Sequence, residues 1–488
     1  MVSELRGREV FHKLHPTSLL FEIGKSFFSI VVMGLLVFFL AAGDNNESWF
    51  MLFFVPVVIG SITRFVTYRY GFAADHLITR EGWIFKKTRH VPYDRIQNID
   101  TVQGPLHRLF GVVEVRLETA GGTEPEAVMR VVSLADLGEI RAGIFRGRTE
   151  PDVEDTSQVE EQPFFRMRAN DVLLFGLFSQ RGLVYLGGLF VLGWEFDLWE
   201  RVGSAFSKNW VAMDVLRNAP ILVGVGVALL LGMLQVLTIL WAFLTLFNFN
   251  IVRRGNDLRT SCGLLTRQTA TVPQDRIQFL SVREGWLHRL FARSSIKIQT
   301  AGGDSTMESQ ISRKWLVPLV ERERLEGILE EVQPEASSVG IEWEGVHRRA
   351  QGRMFRKGLI VSTIPILIFT KDLGAWSLLG YLIAVPVAWQ LAAFRARRLG
   401  WGITEKAVFL RDGRLTHIRS CVRFSKIQSV SLTQNPFDRR LRMANLRVDT
   451  ASAENAQASF VIPYLAEETA QRLMQKLRRE AGAVAFHW

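Results

Sequence analysis

An internal repeat constrains this chain more than any other feature. Val91-Pro92-Tyr93-Asp94-Arg95-Ile96-Gln97, Leu106-His107-Arg108-Leu109-Phe110 and Thr119-Ala120-Gly121-Gly122 return 181 positions later. The second copies read Val272-Pro273-Gln274-Asp275-Arg276-Ile277-Gln278, Leu287-His288-Arg289-Leu290-Phe291 and Thr300-Ala301-Gly302-Gly303. One offset serves all three blocks, so no gap separates the copies. A third, more diverged copy stands 331 positions from the first, with Lys426-Ile427-Gln428, Pro436, Arg439 and Thr450-Ala451. Self-similarity at a fixed period means one structural unit used several times. A length of 488 residues accommodates three domains at roughly 150 residues each.

Between the repeats lie apolar runs, and here composition matters. A 48% hydrophobic chain with mean hydropathy +0.13 and a net charge of +11 fits a membrane protein with basic cytosolic parts. Runs at residues 27–42, 49–66, 183–194 (or 199), 221–247, 358–370 and 374–394 predict six transmembrane helices in three hairpins. No small-residue cleavage site follows the first run, which therefore reads as a span and not a signal peptide. The fifth run is short for a hydrocarbon core of about 30 Å. Lys and Arg crowd one side of every pair, which puts both termini and all repeat bodies in the cytoplasm. Residues 164–178, basic and apolar by turns, read as a surface segment.

Each repeat body predicts several strands and then one helix. Val113-Glu114-Val115-Arg116-Leu117-Glu118 alternates, so the apolar residues face a core and the three charged ones water. Ile296-Lys297-Ile298-Gln299 and Leu446-Arg447-Val448-Asp449 keep the alternation, and Gly82, Gly263 and Gly413 mark one turn. Residues 464–480 put Leu465, Leu473, Met474 and Leu477 near one helical face. The acidic stretch 148–163 reads as a disordered linker. The expected plan is residues 1–69 with hairpin one, a domain at 70–147, the linker at 148–163, and hairpin two at 164–249. A second domain at 250–332, a linker with hairpin three at 333–398, and a third domain at 399–482 complete it.

Little here points to catalysis. There is no Walker loop, nucleophile elbow, zinc-protease helix or dinucleotide fingerprint. His107 and His288 repeat, but the third copy has Asp438, and no nucleophile or metal partner repeats beside them. In the plain structural reading, Leu106, Leu109 and Phe110 anchor a helical turn into the core. Arg95, Arg276 and Lys426 keep a positive charge in all copies, either as headgroup cations or as strand residues paired with Asp94 or Asp275. His107, His288 and these three cations are the candidate lipid or partner contacts. Cys262 and Cys421 lack metal or disulfide spacing, so no metal or cofactor is expected. The basic residues gather beside apolar runs and form no stripe with aromatics, which favours phospholipid over nucleic acid. The spans lack central charges, which counts against a coupled transporter. Ala384, Ala388 and Ala392 form a small-residue ridge for helix packing.

The repeated Val-Pro-x-Asp-Arg-Ile-Gln, Leu-His-Arg-Leu-Phe and Thr-Ala-Gly-Gly blocks, with a hairpin before each domain, resemble the YdbT-like bacterial pleckstrin-homology (PH) proteins of the plasma membrane. The resemblance implies an α+β integral membrane protein in which each hairpin precedes a cytosolic, seven-stranded, partly open barrel with a C-terminal helix. It brings no catalytic residues. It implies a non-enzymatic binding or assembly scaffold for proteins or anionic lipids, a smaller one-domain relative as partner, and a role in envelope stress or defence. A lipid or small-molecule flippase built on the six-helix bundle is the alternative, and a sensor using residues 195–219 a third. The diverged third copy predicts a surface different from the other two. Oligomeric state is not legible.

Overall fold

The computed structural model describes residues 10–13, most of 59–119, 127–133, 137–138, 163–179, 212–300, 315–451 and 460–483. The runs at 27–42 and 183–199, most of 49–66, the acidic linker and both Ala-Gly-Gly bends lie outside the described residues. The chain divides into two compact units, residues 1–164 with 251–272 and 302–312, and residues 165–250 with 273–301 and 313–488. The division cuts the second repeat in two, for a reason visible in the strand pairing.

The described strands form four antiparallel sheets. The first contains β1 (Val10–Lys13), β2 (Arg69–Phe72), β3 (His76–Glu81) and β4 (Lys87–Pro92), in that order. The first repeat continues with β5 (Ile96–Gln103), β6 (Val112–Thr119) and β7 (Ala127–Ser133). The second supplies β8 (Phe165–Arg166), β9 (Asn250–Arg254), β10 (Asp257–Cys262) and β11 (Arg267–Pro273). These seven make one sheet ordered β7-β6-β5-β11-β10-β9-β8. The pattern recurs with β12 (Ile277–Glu284), β13 (Arg293–Thr300), β14 (Trp315–Glu321), β15 (Glu344–Gly345), β16 (Gly400–Ile403), β17 (Ala407–Asp412) and β18 (His417–Arg423). Their order is β14-β13-β12-β18-β17-β16-β15. The last sheet is β19 (Ile427–Thr433), β20 (Met443–Thr450) and β21 (Phe460–Ala466). The back half of one repeat therefore shares a sheet with the front half of the next, an addition to the domain that the resemblance implied for each repeat.

Local chemistry explains the strands. Val113, Val115 and Leu117 are buried with Leu77, Val91, Ile96 and Val132, as the alternation requires. Each is worth about 1.5–3 kcal/mol when fully buried. Arg116, expected in water, is instead buried and held by Glu114 at 2.7 Å. Its partner two residues along the same face meets the cost of burying the charge. Gly263 (φ +110°) and Gly413 (φ +141°) turn β10 into β11 and β17 into β18, and a Cβ on either would run into the carbonyl oxygen of Thr266 or Thr416. Leu446 and Val448 join Phe460, Ile462, Leu473 and Leu477 in the third core.

The helices are α1 (Pro105–Leu109), α2 (Ala169–Phe178), α3 (Ala212–Leu246), α4 (Trp286–Leu290), α5 (Arg322–Val332), α6 (Ala350–Leu373), α7 (Gly380–Arg398), α8 (Pro436–Arg440) and α9 (Glu467–Ala483). Leu465, assigned to the last helix from sequence, belongs to β21, because the chain bends at Tyr464 (φ +59°) before α9 begins. Among the described residues two stretches, Ala228–Leu246 and Trp376–Arg398, are long and apolar enough to cross a membrane. The expected surface segment at 164–178 is an edge strand followed by α2, which packs on α3. A Cβ at Gly176 would meet the Ile239 backbone at 2.7 Å, so only glycine allows that approach. Gln235 donates to the carbonyls of Gly176 (3.0 Å) and Leu177 (3.3 Å), satisfying the end of α2.

The fifth apolar run lies within a longer helix. α6 starts eight residues before it, taking in Arg353, Arg356 and Lys357, and its 24 residues measure about 36 Å. It packs on α7, with Gly358 against Ala388, Gly380 against Ile366, and Tyr381 donating to Thr363 Oγ1 at 2.9 Å. Ala388 and Ala392 of the small-residue ridge are buried.

Candidate functional site

Each repeat presents a short helix between its first and second back strands: α1, α4 and α8. These helices do not anchor into the core. Leu109 is 76% exposed, Leu290 72% and Phe437 60%, and Leu106, Phe110, Trp286 and Phe291 are exposed as well. One apolar side chain at the surface needs no explanation, but the same apolar turn in the first two copies does, and the third keeps Phe437 exposed while Arg440 takes the place of the leucine. Arg108, Arg289, Arg439 and Arg440 flank it. An apolar tip with a cationic collar suits the boundary between headgroups and acyl chains.

The histidines are part of how the turn is built. Gly104 and Gly285 precede α1 and α4, and a Cβ on them would lie 3.3 Å and 3.1 Å from Nδ1 of His107 and His288. Each imidazole thus folds back over its own glycine. His288 also stacks on Phe178 at the end of α2, with ring centroids 4.7 Å apart, and Phe178 meets Phe291 at 5.5 Å. Burial holds the His288 pKa below the usual histidine value, with Glu284 opposing. His288 is a packing group that fixes α4 against the end of α2.

The third repeat reaches the same result with other residues. Asn435 replaces the glycine and accepts from the Asp438 backbone N–H at 2.8 Å, an N-cap. Asp438 replaces the histidine and takes Arg353 Nε at 3.2 Å, both side chains nearly buried. Arg353 lies at the start of α6 and covers the Phe437 ring at 5.0 Å. Here too the turn is fastened to the base of its hairpin, by an ion pair in place of stacked rings.

Arg95 lies outside the described residues. Arg276 and Lys426 end single 3-10 turns, Gln274–Arg276 and Phe424–Lys426, and are not strand residues. The turn arises because Pro273 and Arg423 end their strands before the next begins at Ile277 and Ile427. Lys426 is half-buried, its pKa lowered by burial and by Arg423 while Asp275 opposes. Arg423 Nη2 donates to the carbonyls of Gln274 (3.1 Å) and Ile277 (3.0 Å). Lys426 therefore lies at the junction between the second and third repeats, beside Arg423 and Asp275.

That junction is rich in polar contacts, and no sequence pattern marks it. Arg419 on β18 donates to Glu326 Oε1 (3.0 Å) and Ser338 Oγ (2.6 Å) and approaches Glu284 at 3.9 Å. Arg289, from the repeated Leu-His-Arg-Leu-Phe block, donates to the Leu415 carbonyl (3.1 Å) and to His417 Nε2 (2.9 Å). Nε2 thus accepts, in keeping with the lowered His417 pKa, to which burial contributes most and Arg289 next. Cys262 and Cys421 are buried thiols, the first pushed up to about 12 and the second higher. Among the described residues no cluster of His, Cys, Asp and Glu could hold a metal ion.

The profile of the bacterial PH domain family matches three times, over residues 19–148, 210–336 and 359–481. The chain belongs to that family. It is also similar to the transmembrane protein YdbT of Bacillus subtilis (strain 168), 23% identical over 472 residues, covering 91% of this chain and 94% of the relative. No solved structure matches it significantly. A membrane-associated protein built of repeated bacterial PH domains is thereby established, and the YdbT-like resemblance of its repeated blocks holds.

Proposed function

We propose that this bacterial PH-domain protein is a non-enzymatic, multi-pass scaffold of the inner membrane. Three hairpins would hold the domains at the cytosolic leaflet, with both termini in the cytoplasm and the apolar turns seated among the headgroups. The domains would then hold proteins or anionic lipids, in envelope stress or defence.

The sharing of sheets between successive repeats carries this reading. Neighbouring domains joined by a backbone ladder present their surfaces at a fixed spacing, which suits assembly of partners and does not suit independently mobile binding modules. Gln235, the polar residue in mid-span, is committed to the α2 carbonyls, which supports helix packing over a transport path.

Affinity purification from mildly solubilised membranes tests the proposal. A partner protein or anionic lipid in stoichiometric amount is expected. An empty purification, together with protein-dependent scrambling of fluorescent lipid in reconstituted vesicles, would replace the scaffold with a flippase.

A further inference from the structure

The sheet-sharing pattern has two unused ends. In the first junction β5 pairs with β11, and in the second β12 pairs with β18. The next strand in the first series is β19, and among the described residues it pairs only with β20. The strand that begins the second series is β4, and among the described residues it pairs only with β3. We propose that this protein assembles head to tail with further copies of itself, the outer edge of β19 in one copy adding β4 of the next. This deepens the scaffold reading and rests on it, since it names a second copy of the chain as a partner.

The two internal junctions fix the geometry. Arg267 lies opposite Gln103 in the first, and His417 opposite Glu284 in the second. By the repeat offsets these are the same two positions, so both junctions use one register. Carried to the ends, it sets Lys86 opposite Gln434, Arg89 opposite Ser431 and His90 opposite Val430. A register used twice within the chain is a property of these strand surfaces, and a one-residue slip would turn every side chain to the wrong face.

Burial marks the ends as incomplete. Gln278, Leu280, Ser281 and Val282 of β12 are all buried beneath their neighbour. In β19 the equivalents Gln428, Val430, Ser431 and Leu432 are exposed or half-buried. Likewise Gln268 of β11 is buried, whereas its equivalent Lys87 in β4 is exposed. Basic residues often guard a strand edge against pairing. Here they do not exclude it: His417, which is paired in the second junction, stands where the first repeat has Lys86, while Ile418, Ser420 and Cys421 stand where β4 has Lys87, Arg89 and His90.

The seat for the incoming strand is also present. Arg289 holds the Leu415 carbonyl and His417 of the following repeat. Its equivalent Arg439 lines an open cleft of about 350 Å³ with Leu432, Gln434, Ala444, Glu467 and Gln471. Lys86, the equivalent of His417, arrives opposite Gln434 and brings a cation to Glu467. A contact in which different surfaces of identical chains meet is heterologous, and it generates a ring or a filament. Confinement of all copies to one membrane raises their effective concentration.

The test uses the full chain in its membrane. An Arg89→Cys copy and a Ser431→Cys copy, carrying different tags, are co-expressed and oxidised. Directly opposed strand residues have Cα atoms within the range a disulfide bridges. A disulfide-linked dimer carrying both tags is expected, at least tenfold more abundant than with either variant alone or with the out-of-register pair Arg89→Cys and Gln428→Cys. Differently tagged wild-type copies should co-purify from mild detergent, which guards against a variant that fails to fold. Absence of both the dimer and the co-purification, or a disulfide to a different protein only, overturns the proposal. Stoichiometric recovery of some other partner in that case would leave the scaffold reading standing.

Discussion

Removing either member of the Arg353–Asp438 pair should loosen α8 and the strand behind it. The side chains are 10% and 2% exposed and meet at 3.2 Å, so Asp438→Ala strands a guanidinium with almost no access to water. Breaking a buried pair in this way costs about 3–5 kcal/mol. Arg353→Met strands the carboxylate and also gives up the cation lying over Phe437, about 0.5–2 kcal/mol more. The double variant Arg353→Met/Asp438→Leu should recover most of the loss, because an apolar pair of similar volume replaces the ions with little penalty. A single unfolding free energy is poorly defined for a chain of several domains, so the readout is local. Amide exchange across α8 and β20 should accelerate by a factor of about 100 or more in either single variant, at about 1.4 kcal/mol per decade. Return of protection in the double variant completes the cycle. Less than tenfold acceleration in both single variants, or a double variant as labile as their sum, would refute the assignment of this pair as the fastener of α8.

Gly413→Ala should destabilise the third repeat by about 1–3 kcal/mol, since the turn demands φ near +141° and the new Cβ meets the Thr416 carbonyl. Limited proteolysis between β17 and β18 measures it. Gly176→Val should force α2 away from α3; a disulfide designed between the two helices should form in the parent protein and not in the variant. Stability should also fall as pH drops below about 6.5. The depressed His288 pKa means that the unfolded chain takes up the proton first, and the loss continues until the folded form titrates. His417 adds to the same limb. Thermal unfolding followed from pH 7.5 to 5 should show a shallower acid limb in His288→Gln, and an unchanged slope would remove His288 from the account.

What the sequence revealed follows from how local each feature is. The repeat, the buried face of Val113, Val115 and Leu117 and the Gly263 and Gly413 turns are set by neighbours a few residues apart, and they stand as expected, whereas Arg116 does not. The pairing of β5 with β11 joins positions more than 160 residues apart and leaves no periodic trace. β1 and β15 are four and two residues long, too short for any pattern. The apolar turns misled for another reason. Leu109 and Phe110 look like core residues because hydrophobicity alone does not say which environment excludes water, and a membrane surface satisfies it equally well. Asp438 at the histidine position looked like a changed surface, and the buried partner that explains it comes from α6, 85 residues away. The unequal binding role expected of the third domain thus loses part of its support, since the substitution serves packing.

β15 pairs with β16, yet the whole of α6 and α7 comes between them in the chain. After Gly345 leaves the ribosome, another 55 residues must follow before Gly400 can meet it, about 3–11 s at ordinary rates of synthesis. During that interval the helical pair has to find its place, and only afterwards can the edge strand close on its neighbour. β1 and β2 stand in the same relation across the first apolar runs. Completion of each sheet thereby becomes a check on the step before it: a chain whose helices go astray is left with an unfinished edge, open to proteases and chaperones.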